Sequence, residues 1–300
     1  MQWEKMKTIR NGIENNMPFY SFIIPTKKDK YLDKTINSIL RFAIEKDEII
    51  IIGELYDGFK KSDKRIRIIR KGGVLAGKAR NIGFLSAKNE NLAFIDCGVV
   101  LNGFKRLRLD DHTICFPFVY PSEKYFEWSY PISCSVNLML FYMNIRKKFS
   151  QSRYFLVSKK CFEKNRLFFP EWIHFGDENI WVEKIFREKI PIFIDQEYTC
   201  EYIEKLSPLR LFAKTMRYGM SDWATRNQLK WQGIRFLIYF SLFINPLIFL
   251  LYLIIEVFPV FLIAKRLTIH RINISKVILG IIIKDLGMML GLIMGLIYEK

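Results

Sequence analysis

Residues 236–264 read FLIYFSLFINPLIFLLYLIIEVFPVFLIA, 29 residues with a single charge, Glu256. No other feature constrains the chain as strongly. A helix crosses a bilayer in about 20 predominantly apolar residues, and a surface helix of a soluble domain keeps one polar face. The run therefore predicts a membrane-anchoring helix, with Asn245-Pro246 and Phe258-Pro259 as places where it kinks or turns back. A second apolar stretch, residues 277–298, is interrupted by Lys284-Asp285 and carries Gly287, Gly291 and Gly295 at every fourth position. Small residues at that spacing let helices approach closely in lipid. The charge pair keeps open the alternative that this stretch lies in the interface.

Charge separates the two partners that such a chain could have. The net charge is +17 and half of the 300 residues are AVILMFWYC, which excludes intrinsic disorder. Basic and apolar together point to nucleic acid or to an anionic membrane. Residues 233–300 carry a net +4, so +13 lies in front of them. A basic domain resting on an anionic cytoplasmic leaflet fits that partition. No helix-turn-helix, zinc or RNP pattern accompanies the charge, so nucleic acid is not expected. Residues 218–231 mix Trp with Lys and Arg, the composition of an interfacial anchor. The first twenty residues lack the apolar core of a signal peptide. Five cysteines without a CxxC pair fit a reducing compartment. The expected location is the cell membrane, with the folded domain on its cytoplasmic face.

In front of the apolar tail the pattern alternates. Residues 20–25 (YSFIIP), 47–52 (DEIIII), 66–69 and 92–96 (LAFID) read as buried strands. Residues 31–44 and 76–87 (AGKARNIGFLSA) read as helices between them. Strands alternating with helices imply parallel βαβ units and an α/β fold. Ligands in such sheets bind at the carboxyl ends of the strands. Pro25-Thr26, Gly53-Glu54 and Asp96-Cys97-Gly98 then share one edge. The aromatic segment 116–130, with two prolines, predicts a loop over the site or against lipid.

In order and spacing these residues resemble the nucleotide-binding half of family 2 glycosyltransferases with the GT-A fold. The resemblance rests on FIIPT, EIII, the complete Ala79-Arg80-Asn81-Ile82-Gly83 pattern and the Asp96-Cys97-Gly98 acid motif. Tyr154 opens a stretch like the family's "lvrr..fe" hairpin, Phe175-Gly176-Asp177-Glu178 resembles its "G-E-D" helix, and Arg217-Tyr218-Gly219 its basic segment before the membrane tail. The resemblance covers roughly residues 20–220. It implies an N-terminal extension (1–15), a GT-A domain with a mainly parallel sheet (16–205), an interfacial basic segment (206–232) and membrane-anchoring helices (233–300).

The resemblance also implies roles. Pro25, Thr26, Glu54, Lys78, Arg80, Asn81 and Asp96 fall on the donor nucleotide side. Glu178 is the expected general base and Asp177 its partner; two adjacent carboxylates raise one pKa. Read without the resemblance, the same acids suit a helix N-terminus. His174 and Trp181 fall on the acceptor side, with packing as the alternative reading for both. Lys78 is equally read as a solvated helix charge. The family motif holds Mn2+ or Mg2+ between two acids, whereas this chain has Asp96 and then Gly98, leaving one hard oxygen ligand.

The function implied is a membrane-anchored, inverting glycosyltransferase. It moves a sugar from a nucleotide-sugar donor to a polyprenyl-linked or other membrane-held acceptor, in surface polysaccharide or glycolipid assembly. The alternatives are a polyprenyl-phosphate sugar synthase of the same fold and a catalytically inactive scaffold.

Overall fold

The computed structural model describes residues 17–60, 62–128, 153–173, 177–224, 229–266 and 272–298. The first half is a succession of βα units: β1 (Tyr20–Lys27), α1 (Leu32–Leu40), β2 (Glu48–Glu54), β3 (Ile66–Arg70), α2 (Ala76–Ser86) and β4 (Asn91–Ile95). β1 pairs in parallel with β2 and with β4, and β2 with β3. Unbroken apolar strands suit a sheet covered on both faces. Their side chains alternate between two cores. Ile23, Ile50, Ile52 and Phe94 pack with Ala79 and Phe84 of α2. Phe22, Ile24, Ile49 and Ile51 pack with Leu32, Ile36 and Ile39 of α1.

The second half turns the sheet antiparallel. It contains β5 (Val99–Leu101), β6 (Ile114–Pro121), β7 (Tyr154–Ser158), α3 (Lys159–Lys164), α4 (Asp177–Arg187) and β8 (Ile192–Tyr202). The sheet has eight strands in the order β3-β2-β1-β4-β7-β6-β8-β5. β7 runs antiparallel to both β4 and β6, and β8 parallel to β6. The α/β class expected from the sequence is the one observed. Two local expectations change. The start of the aromatic segment is not a loop: it forms β6, and the register shifts at Pro117/Phe118. Tyr154 opens a strand followed by a helix rather than a hairpin, and the Ser158 hydroxyl caps that helix by accepting from Cys161 N–H at 3.0 Å. Cys97, Cys115, Cys161 and Cys200 are buried free thiols, while Cys134 lies outside the described residues.

The tail is helical: α5 (Pro208–Ala224), α6 (Leu229–Phe240), α7 (Pro246–Arg266) and α8 (Ile274–Tyr298). The 29-residue apolar run is not one helix. A short 3-10 turn (Ser241–Phe243) separates α6 from α7. Pro246 then opens α7, where its missing N–H costs nothing. Among the described residues one segment is long and apolar enough to cross a membrane, Ile274–Ile297, with mean hydropathy 2.2. It belongs to the stretch interrupted by Lys284-Asp285. Its buried face, Val277, Ile281, Lys284 and Asp285, turns inward. Its glycines meet α5: Gly287 lies against Thr215, Gly291 against the Met216 backbone, and Gly219 of α5 against the Met288 backbone. Large apolar side chains elsewhere on these helices, including Leu237, Leu247 and Leu296, are exposed, as is Phe243 in the turn.

Candidate functional site

The parallel strand ends define one edge. Gly53, next to last in β2, has φ +127. A Cβ there would run into the carbonyl of Thr26, so only glycine lets the two strand ends approach. Glu54 follows and accepts a hydrogen bond from Gly73 N–H at 2.8 Å, fastening the loop that leads to α2. Pro25, Thr26, Glu54 and Asp96 therefore lie at the carboxyl ends of three neighbouring strands, as the sequence anticipates.

α2 carries this edge across to α4. Gly77 lacks the side chain that would strike the Pro170 carbonyl, so the helix seats against residues 169–171. Asn81 then clamps that segment. Its Oδ1 accepts from Phe169 N–H at 2.9 Å, and its Nδ2 donates to the Phe169 carbonyl at 2.9 Å and to Glu171 at 3.0 Å. Expected at the donor, Asn81 instead spends its amide on holding the backbone. Lys78 points outward towards Glu171 at 3.7 Å, the solvated-helix reading of that residue.

Arg80 is the centre of the arrangement. It is 4 % exposed and lies over the Phe169 ring at 5.0 Å. Nη1 donates to Asp177 Oδ2 and Nη2 to Asp96 Oδ1, both at 2.7 Å. One guanidinium thus joins Asp96, just after β4, to the first residue of α4, which is 97 positions from Arg80. Burial works against its charge, but Asp96 and Asp177 outweigh that cost and lift its pKa above the ordinary value. Asp177 and Glu178 open α4, where the helix dipole favours acids. Burial, then the neighbouring Asp177, push the Glu178 carboxyl up to about 8, with Arg80 opposing. A carboxyl held there exchanges its proton near neutral pH, which a general base requires.

Trp181, expected towards an acceptor, is instead in the core. It is 1 % exposed, donates its indole N–H to Leu167 at 2.7 Å and stacks on Phe169 with centroids 4.8 Å apart. His174 lies outside the described residues.

The residues at 96–98 do not fit a divalent cation. Asp96 is already bound by Arg80 and faces Arg153 as a second cation. Gly98 sits at φ +92, and a Cβ there would meet the Ile203 carbonyl at 2.8 Å and the Tyr202 ring at 3.3 Å. Position 98 therefore has no room for an acid. Among the described residues no group of three or more His, Cys, Asp or Glu is placed to hold a metal ion.

Beside this edge lies an open pocket of about 510 Å³, formed by the loops after β1, β4 and β8 and by α5. Lys28, Lys30, Lys205, Arg210, Lys214 and Arg217 line it. Sequence reasoning missed this assembly and Arg153. Lys28 and Lys30 flank one acid in KKDK straight after Thr26, which was the available signal.

No family model matches the chain. Among solved structures, GalNAc-T7 with UDP, GalNAc and Mn2+ aligns with 65% of this chain and 44% of its own, at 12% identity and a TM-score of 0.47. S. aureus TarS 1-349 in complex with UDP aligns with 67% of this chain and 64% of its own, at 14% identity and a TM-score of 0.43. Over 89 residues the chain is 29% identical to a Bacillus subtilis (strain 168) protein named "Uncharacterized glycosyltransferase EpsJ". That similarity takes in 27% of this chain and spans about a quarter of the curated relative's length (26%).

Proposed function

We propose that the chain is a GT-A glycosyltransferase attached to a membrane. It takes a sugar from a nucleotide-activated donor and transfers it, with inversion, to an acceptor held at the membrane. The observation that carries this reading is the Arg80 bridge, which joins the strand edge at Asp96 to the acids Asp177 and Glu178. A donor on that edge then has a carboxyl of raised pKa beside it. The sequence resemblance and the name of the Bacillus relative support the same class. The exposed apolar side chains of α6 to α8 support a lipid surface as their cover.

Each residue has a defined task in this reaction. Glu178, deprotonated, takes the proton of the acceptor hydroxyl. The freed oxygen attacks the anomeric carbon as the bond to the diphosphate oxygen breaks, and that oxygen leaves with the electron pair. A single displacement inverts the anomeric centre. Pro25, Thr26, Glu54 and Asp96 bound the donor; Arg80 and Asn81 hold the acids and the 169–171 segment where the donor needs them. No step is routed through a metal ion.

The test is incubation of the purified full chain in detergent with a panel of sugar nucleotides and membrane-lipid acceptors. Release of nucleoside diphosphate and the anomeric configuration of the product are the readouts. Inverted product supports the reading. Retained configuration overturns the single displacement, and no release from any donor overturns the transferase assignment. Should Glu178→Ala keep most of the turnover, a phosphate acceptor, which needs no strong base, becomes the better account.

A further inference from the structure

We propose that the basic pocket beneath α5 is a diphosphate-binding site that works without a divalent cation. This deepens the transferase reading and rests on it for the identity of the natural ligand. Three observations carry it.

The first is charge. The pocket gathers six Lys and Arg side chains against the carboxylates of Asp29 and Glu204. Lys214 is ion-paired with Glu204, so that acid is already engaged. A concave site with a surplus of four positive charges is complementary to a dianionic or trianionic group. Its volume, about 510 Å³, lies in the range of small-ligand sites.

The second is position. Lys28 and Lys30 follow β1 directly and Cys97 follows Asp96, so one wall of the pocket is the strand edge that bounds the donor. The opposite wall is α5, carrying Arg210, Lys214 and Arg217 at helical spacing. Residues three and four apart share a helix face, so all three cations point the same way.

The third is the space at Gly98. Ile203 N–H donates to the Gly98 carbonyl at 2.8 Å, and Gly98 N–H donates to the Thr35 hydroxyl at 2.9 Å. The first bond holds the end of β8 onto position 98, where Ile203 and Tyr202 fill the volume in which a second metal-binding acid would stand, and the second ties position 98 to α1. The same closure brings Lys205 and the start of α5 to the pocket. Arg153 covers the back of this junction, its guanidinium 4.0 Å from the centre of the Tyr202 ring. The local chemistry has one bound carboxylate where a cation would need several, and a ring of guanidinium and ammonium groups where a diphosphate would need neutralising. Arg in particular holds phosphate oxygens in paired hydrogen bonds.

The experiment uses inorganic pyrophosphate as probe and the full chain in detergent. Binding is measured by calorimetry in EDTA and again with MnCl2 present. The expected result is binding in EDTA, changed less than about threefold by Mn2+. Lys28→Gln and Arg210→Gln, both at exposed positions, each weaken it about tenfold, the usual cost of one charge-assisted hydrogen bond. Binding seen only with Mn2+ overturns the proposal, as does binding unchanged in both variants. Co-sedimentation with phosphatidylglycerol vesicles is the second arm. Variants that lose the vesicles while pyrophosphate binding stays intact reassign the pocket to a lipid headgroup and overturn it. Pyrophosphate binding without turnover of any sugar nucleotide supports the site and counts against the transferase reading alone.

Discussion

Two of the protein's buried charge clusters are built on opposite principles. In the helical tail, Arg235 and Lys284 face Asp285 and Glu256 at 3.3 to 3.6 Å. Asp285 also accepts the hydroxyls of Tyr239, at 3.2 Å, and of Tyr252. Two cations meet two carboxylates; both tyrosine hydroxyls go to Asp285 Oδ2, while Oδ1 faces the cations without a hydrogen bond. At the sheet edge, two guanidiniums meet three acids: Arg80 is bound directly by Asp96 and Asp177, Arg153 faces Asp96, and Glu178 stands beside them. Desolvating charge costs several kcal/mol per ion unless it is matched. The tail cluster is matched and serves as an internal fastening. The edge cluster carries a surplus acid, and that surplus is where a proton can come and go.

The largest effect that sharpens this contrast is at Glu178. Glu178→Gln keeps the shape and removes the base, and turnover is expected to fall by about 10²- to 10⁴-fold. Initial rates of nucleoside diphosphate release measure it; an unchanged rate would mean that Glu178 is not the base. Next comes Asp285→Ala. It strands Arg235 and Lys284 without their main partner, at an expected cost of about 3–5 kcal/mol. Detergent-solution unfolding reads this as a large loss of thermal stability. A variant that stays stable yet loses turnover would reverse the roles of the two clusters. Gly291→Leu drives a side chain into the Met216 backbone, and overpacking of this kind costs about 1–3 kcal/mol. An unaltered unfolding temperature would show that α5 and α8 are not clasped.

A further effect is a pH dependence. The Glu178 carboxyl titrates near 4.5 when unfolded and about 8 when folded. Between those values the folded protein holds a proton that the unfolded chain has lost, so this group's contribution to stability declines as pH rises through the window. Glu178→Gln is neutral throughout. Its unfolding temperature should therefore exceed that of the unaltered protein by more at pH 8 than at pH 5. A constant difference would mean that the carboxyl is not raised. In parallel, turnover by the unaltered protein should climb towards pH 8 as Glu178 deprotonates.

The parallel half of the sheet was legible because β2 and β4 are built on continuous apolar runs, as is most of β1. The run at 47–52 became β2 (Glu48–Glu54), and the helix at 76–87 became α2 (Ala76–Ser86). The antiparallel half was not. β7 inserts between β4 and β6, a pairing of segments far apart in sequence that no local period reports. The same holds for the site. The acids at 96, 177 and 178 and the arginine at 80 could each be named, but the bridge that unites them spans 97 positions. Trp181 has the residue type of a sugar platform, yet it lies among Phe155, Phe169 and Phe116, which arrive from other strands and loops. The spacing of Gly287 and Gly291 announced a close helix contact. Its partner, α5, had no matching signal beyond Gly219.

That contact has a consequence for modularity. α8 meets α5 backbone to backbone, and α5 also furnishes Arg210, Lys214 and Arg217 to the basic pocket. α8 is therefore not an exchangeable segment. A foreign apolar helix grafted in its place would leave the face of α5 at Thr215, Met216 and Gly219 uncovered. α8 and the wall of the pocket are two sides of one helix pair, and they must change together.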